Sequence, residues 1–386
     1  MKKSIKLAFL FIGTVIGAGF ATGREIALYF KNISPLAAAF SGLALGFLCT
    51  LFIIIGNINK SPVEAKFKRG ENPLAPKKAA RKAVEDEKIL RDGGVKVAVS
   101  PLERRGAAAV FFHSAVIFAA FTQTAAMCAG ADELGYAMFK IPFMGAAFSL
   151  LSVVAVLSGL EKIKLINTVL IPVMTVFIAV LFVKGGVSSI EGNISVIKPF
   201  AYAGLNIFLA GIILMKNEAT KKEAAAAGII SAVVFALILF FIKNIITGRE
   251  DAAMPLYLAA KEFGLSAVGG LIILLAIITT MISSLKLFSD ELAWLFALFP
   301  RRAMINGNEA VFFAALAAAL SSVLALLGFK NLVDYTYPVQ SVFGLALLAY
   351  TVTELIRSRR GGGLLVKAKR GALRSMKKRL KTPRFM

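Results

Sequence analysis

Apolar residues run in long blocks along this chain, with the polar residues gathered between them. Ten blocks stand out: Ile5 to Phe30, Leu36 to Ile55, Ala107 to Ala131, Ile141 to Leu160, Leu165 to Val183, Ala201 to Met215, Ala224 to Ile242, Leu265 to Leu285, Ala310 to Gly328 and Tyr335 to Leu355. At about 1.5 Å per residue most can cross the roughly 30 Å of a bilayer's hydrocarbon as helices. A transmembrane barrel would instead show short segments of alternating polarity. The pattern therefore predicts an all-α integral membrane protein of about ten transmembrane helices, the blocks serving as spans one to ten in order.

Two polar stretches interrupt this scheme. The longer, residues 57–106, reads as a cytoplasmic insertion with a short helix over Pro76 to Gly94, since proline suits a first turn and glycine a stop. The shorter, Thr247 to Gly264, reads as an external loop or a short interfacial or re-entrant helix. The chain thus divides into a transmembrane domain over 1–356 and a basic cytoplasmic tail over 357–386, with Gly361 to Gly363 as a flexible hinge.

Composition agrees: 58% of the 386 residues are hydrophobic, 31 are Phe and mean hydropathy is +0.77, more apolar surface than one water-soluble core can bury. Charge adds orientation. On a ten-span count 35 of the 45 basic residues fall on one side and 9 on the other, with Lys286 in or near a span. Basic loops stay in the cytoplasm, so both termini belong there. The net charge of +23 is then a property of loops and tail beside anionic lipid, and no nucleic-acid partner is expected. The start of the chain mimics a secretion signal, but Gly13, Gly17 and Gly19 interrupt its apolar stretch. Cys49 and Cys128 both lie inside spans and define neither a disulfide framework nor a metal site.

The candidate chemistry sits in the glycine-rich string GTVIGAGFATG of span one, Gly13 to Gly23. Each interior glycine costs a helix roughly 1 kcal/mol relative to alanine, so a break near Gly17 to Gly19 is cheap. At membrane depth a break exposes backbone N–H and C=O groups, tolerable only where they line a cavity or bind something. Gly204, Asn206 and Gly211 in span six, five helices later, suggest a matching break, and paired interruptions point to a site between inverted repeats. The alternative is close helix packing through small residues, which Gly13-x-x-x-Gly17 also fits.

Neighbouring polar groups complete the picture. Arg24 and Glu25 read as an external gate, paired with each other or with Asp132 and Glu133, or else as an interfacial pair. In span eight Thr279 with Ser283, and Thr280 with Ser284, stand four apart on one helical face, an oxygen-rich surface suited to sodium unless the hydroxyls bond back to their own helix. Lys286 lies just beyond. Gln123, with Thr122 and Thr124, and Asn206 are polar groups near mid-span, either solute contacts or interhelical hydrogen bonds. No cofactor is implied beyond sodium. His113 is the single histidine and clustered carboxylates at membrane depth are few, so no enzyme is expected.

VIGAGFATGREI (Val15 to Ile26) resembles the span-one signature of the YkvI-like bacterial membrane proteins, within the amino acid-polyamine-organocation superfamily. AMCAGADELG (Ala126 to Gly135) and AIITTMISS (Ala276 to Ser284) match more loosely, and Arg24 stands where glutamine is more usual. The resemblance implies the five-plus-five inverted repeat of the leucine-transporter type, with helices 1 and 6 broken. It further implies solute contacts from the backbone of Gly17, Ala18 and Gly19, and a sodium site at Thr280, Ser283 or Ser284. The functional expectation is a secondary active transporter of a small solute, an amino acid or related organic ion, coupled to sodium or protons. A receptor on the same fold that binds without transporting is the alternative.

Overall fold

The computed structural model describes residues 2–59, 107–157, 161–187, 197–215, 217, 219–297 and 309–379. The helix expected over Pro76 to Gly94 lies outside the described residues, as does most of the insertion. All regular structure among the described residues is helical. Span one is made of three pieces, α1 (Lys2–Val15), α2 (Ala18–Thr22) and α3 (Arg24–Phe30). Then come α4 (Pro35–Asn59), α5 (Ala107–Phe139), α6 (Met144–Leu157), α7 (Glu161–Gly185), α8 (Ile197–Met215) and α9 (Lys221–Ile246). The chain continues through α10 (Pro255–Glu262), α11 (Ser266–Ala297), α12 (Glu309–Leu324) and α13 (Phe329–Arg379).

Five of these helices, α4, α5, α8, α9 and α11, are each long and apolar enough to cross a membrane alone. The segments Val311–Leu327 and Phe329–Thr353 turn through 110° about Gly328, and α6 and α7 carry shorter apolar stretches. Local signals set several ends. Thr220 and Glu223 form a reciprocal cap at the start of α9: the Glu223 N–H donates to Thr220 Oγ1 at 3.2 Å, and the Thr220 N–H donates to Glu223 Oε2 at 2.8 Å. Pro255 opens α10, making the external stretch a short helix.

Two expectations are corrected here. Span six is a continuous helix from Ile197 to Met215, with no break at Gly204. Gly204 is used for packing instead: a Cβ there would lie 2.6 Å from the Ser341 carbonyl, and one on Gly344 would lie 1.8 Å from the Gly204 carbonyl, so the two glycines let α8 and α13 touch backbone to backbone. The second concerns Gly361 to Gly363, which stand inside α13 and form no hinge. Arg359 and Arg360 before them and Leu364 and Leu365 after them are all good helix formers.

The helices pack as two groups. Spans one, two, six and seven (α1, α4, α8 and α9) contact one another, as do spans three, four, eight and nine (α5, α6, α11 and α12). Spans five and ten (α7 and α13) bridge them, α7 touching α9 and α11 while α13 touches α8 and α5. The pattern repeats with halves exchanged: span one packs on seven as six packs on two, and span three on nine as eight on four. Such an exchange is the mark of an inverted repeat.

Lipid gives helices no hydrophobic reason to associate, so close packing must hold them. The seam between α4 and α9 supplies it. A Cβ on Gly42 would lie 2.3 Å from the Ala236 nitrogen, one on Gly46 2.4 Å from the Gly228 carbonyl, and one on Gly228 1.8 Å from Thr50 Oγ1. The Thr50 hydroxyl also donates across the seam to the Ala224 carbonyl at 3.3 Å. Gly46→Val should therefore destabilise the protein by about 3 kcal/mol or more, the upper range for overpacking. Leu43→Val, at an exposed neighbouring position, should leave the thermal midpoint in detergent almost unchanged.

Candidate functional site

The interruption of span one lies at Ile16 and Gly17. The Gly17 N–H donates to the Val15 carbonyl at 2.9 Å, and Gly17 itself is extended, with φ −107° and ψ −167°. The Ala18 N–H crosses to span eight and donates to Thr280 Oγ1 at 3.3 Å. A Cβ on Gly17 would meet that oxygen at 3.5 Å, so a methyl fits and a longer side chain does not. A second interruption follows at Gly23, whose φ of +78° favours glycine. Leu256 of α10 covers it, with its Cγ 3.0 Å from where a Cβ would stand. Five buried residues, Ala18 to Thr22, are thus a separate helical turn hung between two breaks.

Glu25 does not pair with Arg24. It turns inward, where Asn206 Nδ2 donates to Oε1 at 3.3 Å while also donating to the Tyr202 carbonyl at 2.9 Å. The other carboxylate oxygen would stand 3.0 Å from a Cβ on Gly19, and Tyr337 Oη 2.8 Å from it. Tyr29 and Ser341 share a hydrogen bond at 2.5 Å beside this group. Gly19 is therefore small because Glu25 and Tyr337 occupy the space around it.

Arg24 turns the other way. Nε and Nη2 donate to Asp334 Oδ1 at 2.9 and 2.6 Å, Nη2 also reaches Oδ2, and Nη1 donates to the Glu250 carbonyl at 2.7 Å. Of its other expected partners, Asp132 accepts from the Gly145 N–H at 2.7 Å and Glu133 is exposed. The pairing of Arg24 with Asp334 and the Glu250 carbonyl joins span one to the start of span ten and to the loop between spans seven and eight. That loop is tied down further by Lys31 with Asp251 at 2.7 Å, Lys243 with Glu250 at 2.8 Å and Arg249 with Glu262. Lys31 beside Asp251 holds the aspartate carboxyl below its usual range.

Of the span-eight hydroxyls, Thr280 alone hydrogen-bonds to the break. Ser283 and Ser284 donate to the carbonyls of Thr279 and Thr280 at 2.8 and 2.9 Å, and Thr279 donates to Ala276 at 3.2 Å. Thr124 of span three donates to Ser284 at 3.0 Å, so spans three and eight share this hydroxyl patch. Gln123 is half-buried, while its neighbour Thr122 accepts from Gln340 of span ten at 3.2 Å. Lys286 pairs with Asp290 along its own helix. His113 pairs with Glu291 and stacks on Trp294, ring centroids 3.4 Å apart.

Sequence reasoning missed Asp334, Tyr202, Tyr337, Gln340 and Ser341. A signal existed in DYTYPVQS, where Asp334, Tyr337 and Ser341 recur at helical spacing on one face of span ten. Among the described residues no group of three or more His, Cys, Asp or Glu converges that could hold a metal ion.

No protein-family model matches the sequence, and no curated protein matches it. Solved structures do. Two crystal structures of variants of the manganese transporter of Eremococcus coleocola superpose with a TM-score of 0.51 at 14% identity, covering 91% of this chain and 78% of each of theirs. At that identity the likeness is one of fold: the chain is an all-α, multi-pass membrane protein that shares the fold of these structures.

Removing the Arg24 side chain leaves Asp334, whose side chain is 27% exposed, without its partner, and should cost about 1–3 kcal/mol, below the range for a fully buried pair. Arg24→Ala should also raise labelling, by a membrane-impermeant thiol reagent, of a cysteine placed at Thr22, which is fully buried beneath this pairing. Arg24→Lys, which keeps the charge but not the two-pronged geometry, should fall between.

Proposed function

We propose that this chain is a secondary active transporter of a small organic solute, an amino acid or related organic ion, working by alternating access in a bacterial cytoplasmic membrane with both termini inside. The observation that carries this reading is the unwound segment at Gly17 in span one, where span one meets the second helix group. Backbone groups left without helical partners at membrane depth are an expensive feature that a merely structural helix would avoid. The resemblance of Val15 to Ile26 to the YkvI-like proteins of the amino acid-polyamine-organocation superfamily supports the same reading.

In this account the backbone of Gly17, Ala18 and Gly19, with Gln123 and Asn206, contacts the solute. Thr279, Thr280, Ser283 and Ser284 form the sodium candidate: the hydroxyls of Thr279, Ser283 and Ser284 donate to carbonyls of their own helix and keep oxygen lone pairs for a cation, and Thr280 Oγ1 accepts from the Ala18 N–H. The Arg24 latch closes the external side, and its release opens that side as the inner one shuts. Gly204, committed to the seam with span ten, is left out of the solute site.

The test is thermal unfolding of the purified protein against a panel of amino acids and small organic ions, each in sodium and in potassium. Ligand that binds only the folded state raises the midpoint by about 2.7 kcal/mol worth of stability at a hundredfold excess over its dissociation constant. A rise with one solute is expected in the native protein and absent in Gly17→Leu, whose side chain would collide with Thr280. Binding without uptake into proteoliposomes would move the reading to a receptor, and no binding by any solute in the panel would count against it.

A further inference from the structure

Glu25 is a carboxylate only 5% exposed, in the middle of a membrane protein, with no ion pair among the described residues. The arginine next to it in sequence is committed to Asp334. The buried lysine of span seven, Lys243, is paired with Glu250. The elements around Glu25 present only neutral groups: α8 offers the Asn206 amide and the Tyr202 phenol, α13 the Tyr337 phenol, α2 the backbone at Gly19, and α3 itself Tyr29, already bonded to Ser341. A full negative charge with one amide as its hydrogen-bond donor is far less solvated than in water, so the group needs a proton or a cation at some point in its cycle.

The packing on the Gly19 side of the carboxylate favours the proton. The carboxylate is packed against Gly19, where even a methyl group would press on both Oε2 and Tyr337 Oη. A bound cation needs a shell of several oxygens around it, whereas a proton needs only one oxygen and an acceptor. The Tyr202 hydroxyl, fully buried and facing Glu25, has no hydrogen-bond partner. A phenol both donates and accepts, so after a small rotation it serves the carboxylate as donor and the carboxylic acid as acceptor.

We propose that Glu25 is the proton carrier of this transporter, so that a proton, and not sodium at the span-eight hydroxyls, is the coupling ion; this rests on the transport reading above. With the latch between Arg24 and Asp334 open, a proton passes from external water to a Glu25 oxygen. With the inner side open, the same O–H bond breaks and the proton leaves to cytoplasmic water. One proton crosses per cycle and no other bond changes. The residue expected from sequence to be half of an external gate thus works one step further in, directly beneath the true latch.

Infrared difference spectroscopy of the full-length protein, stepped through pH in potassium buffer, reads the carbonyl stretch of a protonated carboxyl directly. The native protein should show one such band that titrates away on raising pH, Glu25→Gln should lack it with its melting midpoint preserved, and Tyr202→Phe should shift its titration midpoint. A titrating band that survives in Glu25→Gln, or no protonated band attributable to Glu25 at any pH, overturns the inference. In proteoliposomes holding a pH-sensitive dye, uptake of a solute from the panel should carry protons inward, and Glu25→Gln should lose accumulation driven by a pH gradient. Uptake indifferent to the gradient would sink proton coupling and leave transport standing. If no solute enters at all, the transport reading fails, and the infrared titration still decides whether Glu25 takes up a proton.

Discussion

A helix broken inside a membrane has to find partners for the backbone groups it releases, and much of this structure follows from how that need is met in span one. Water is absent there, so the Ala18 N–H is satisfied by a hydroxyl from another helix, Thr280 in span eight. That bond places the unwound segment against the group of spans three, four, eight and nine, while α1 packs within the group of spans one, two, six and seven. The break is therefore also the joint between the groups. A single continuous helix would have belonged to one of them.

The rest of the architecture keeps each group rigid and leaves the junction adjustable. Within the first group, backbones approach so closely at Gly42, Gly46 and Gly228 that no side chain could be inserted. Between the groups the backbone-to-hydroxyl bond from Ala18 to Thr280 crosses directly, while Arg24 ties span one to the bridging span ten and Glu25 bonds within the first group, to Asn206 of span six. Small differences in charge state or solute contact can bias such a junction, whereas a close-packed seam resists them. Arg24 and Glu25, adjacent in sequence, point to opposite partners because they open α3, just after the αL turn at Gly23.

The helical membrane class and the break in span one were legible in the sequence, because block length and the density of glycines are local signals. The expected break in span six was not a sound reading. Gly204 looks the same as Gly17 in a string of letters, and what separates them is Gly344, a residue of span ten that only the fold brings opposite. The partner of Arg24 was hidden for the same reason, since Asp334 lies 310 residues away while Glu25 is adjacent in sequence. The span-eight face was found by its four-residue spacing, but spacing could not say that Thr280 alone among those hydroxyls would hydrogen-bond to the break.

The central claim is that two rigid groups move about the break in span one, with the arginine latch holding the outer side shut. A pulsed dipolar distance between spin labels at Leu36, near the start of α4, and Tyr136, near the end of α5, both exposed, tests it most directly in a background without Cys49 and Cys128. The account predicts one short distance in the native protein and a second, longer population in Asp334→Asn, where the latch is weakened. A single unchanged distance in both proteins, with the variant still folded, would contradict it.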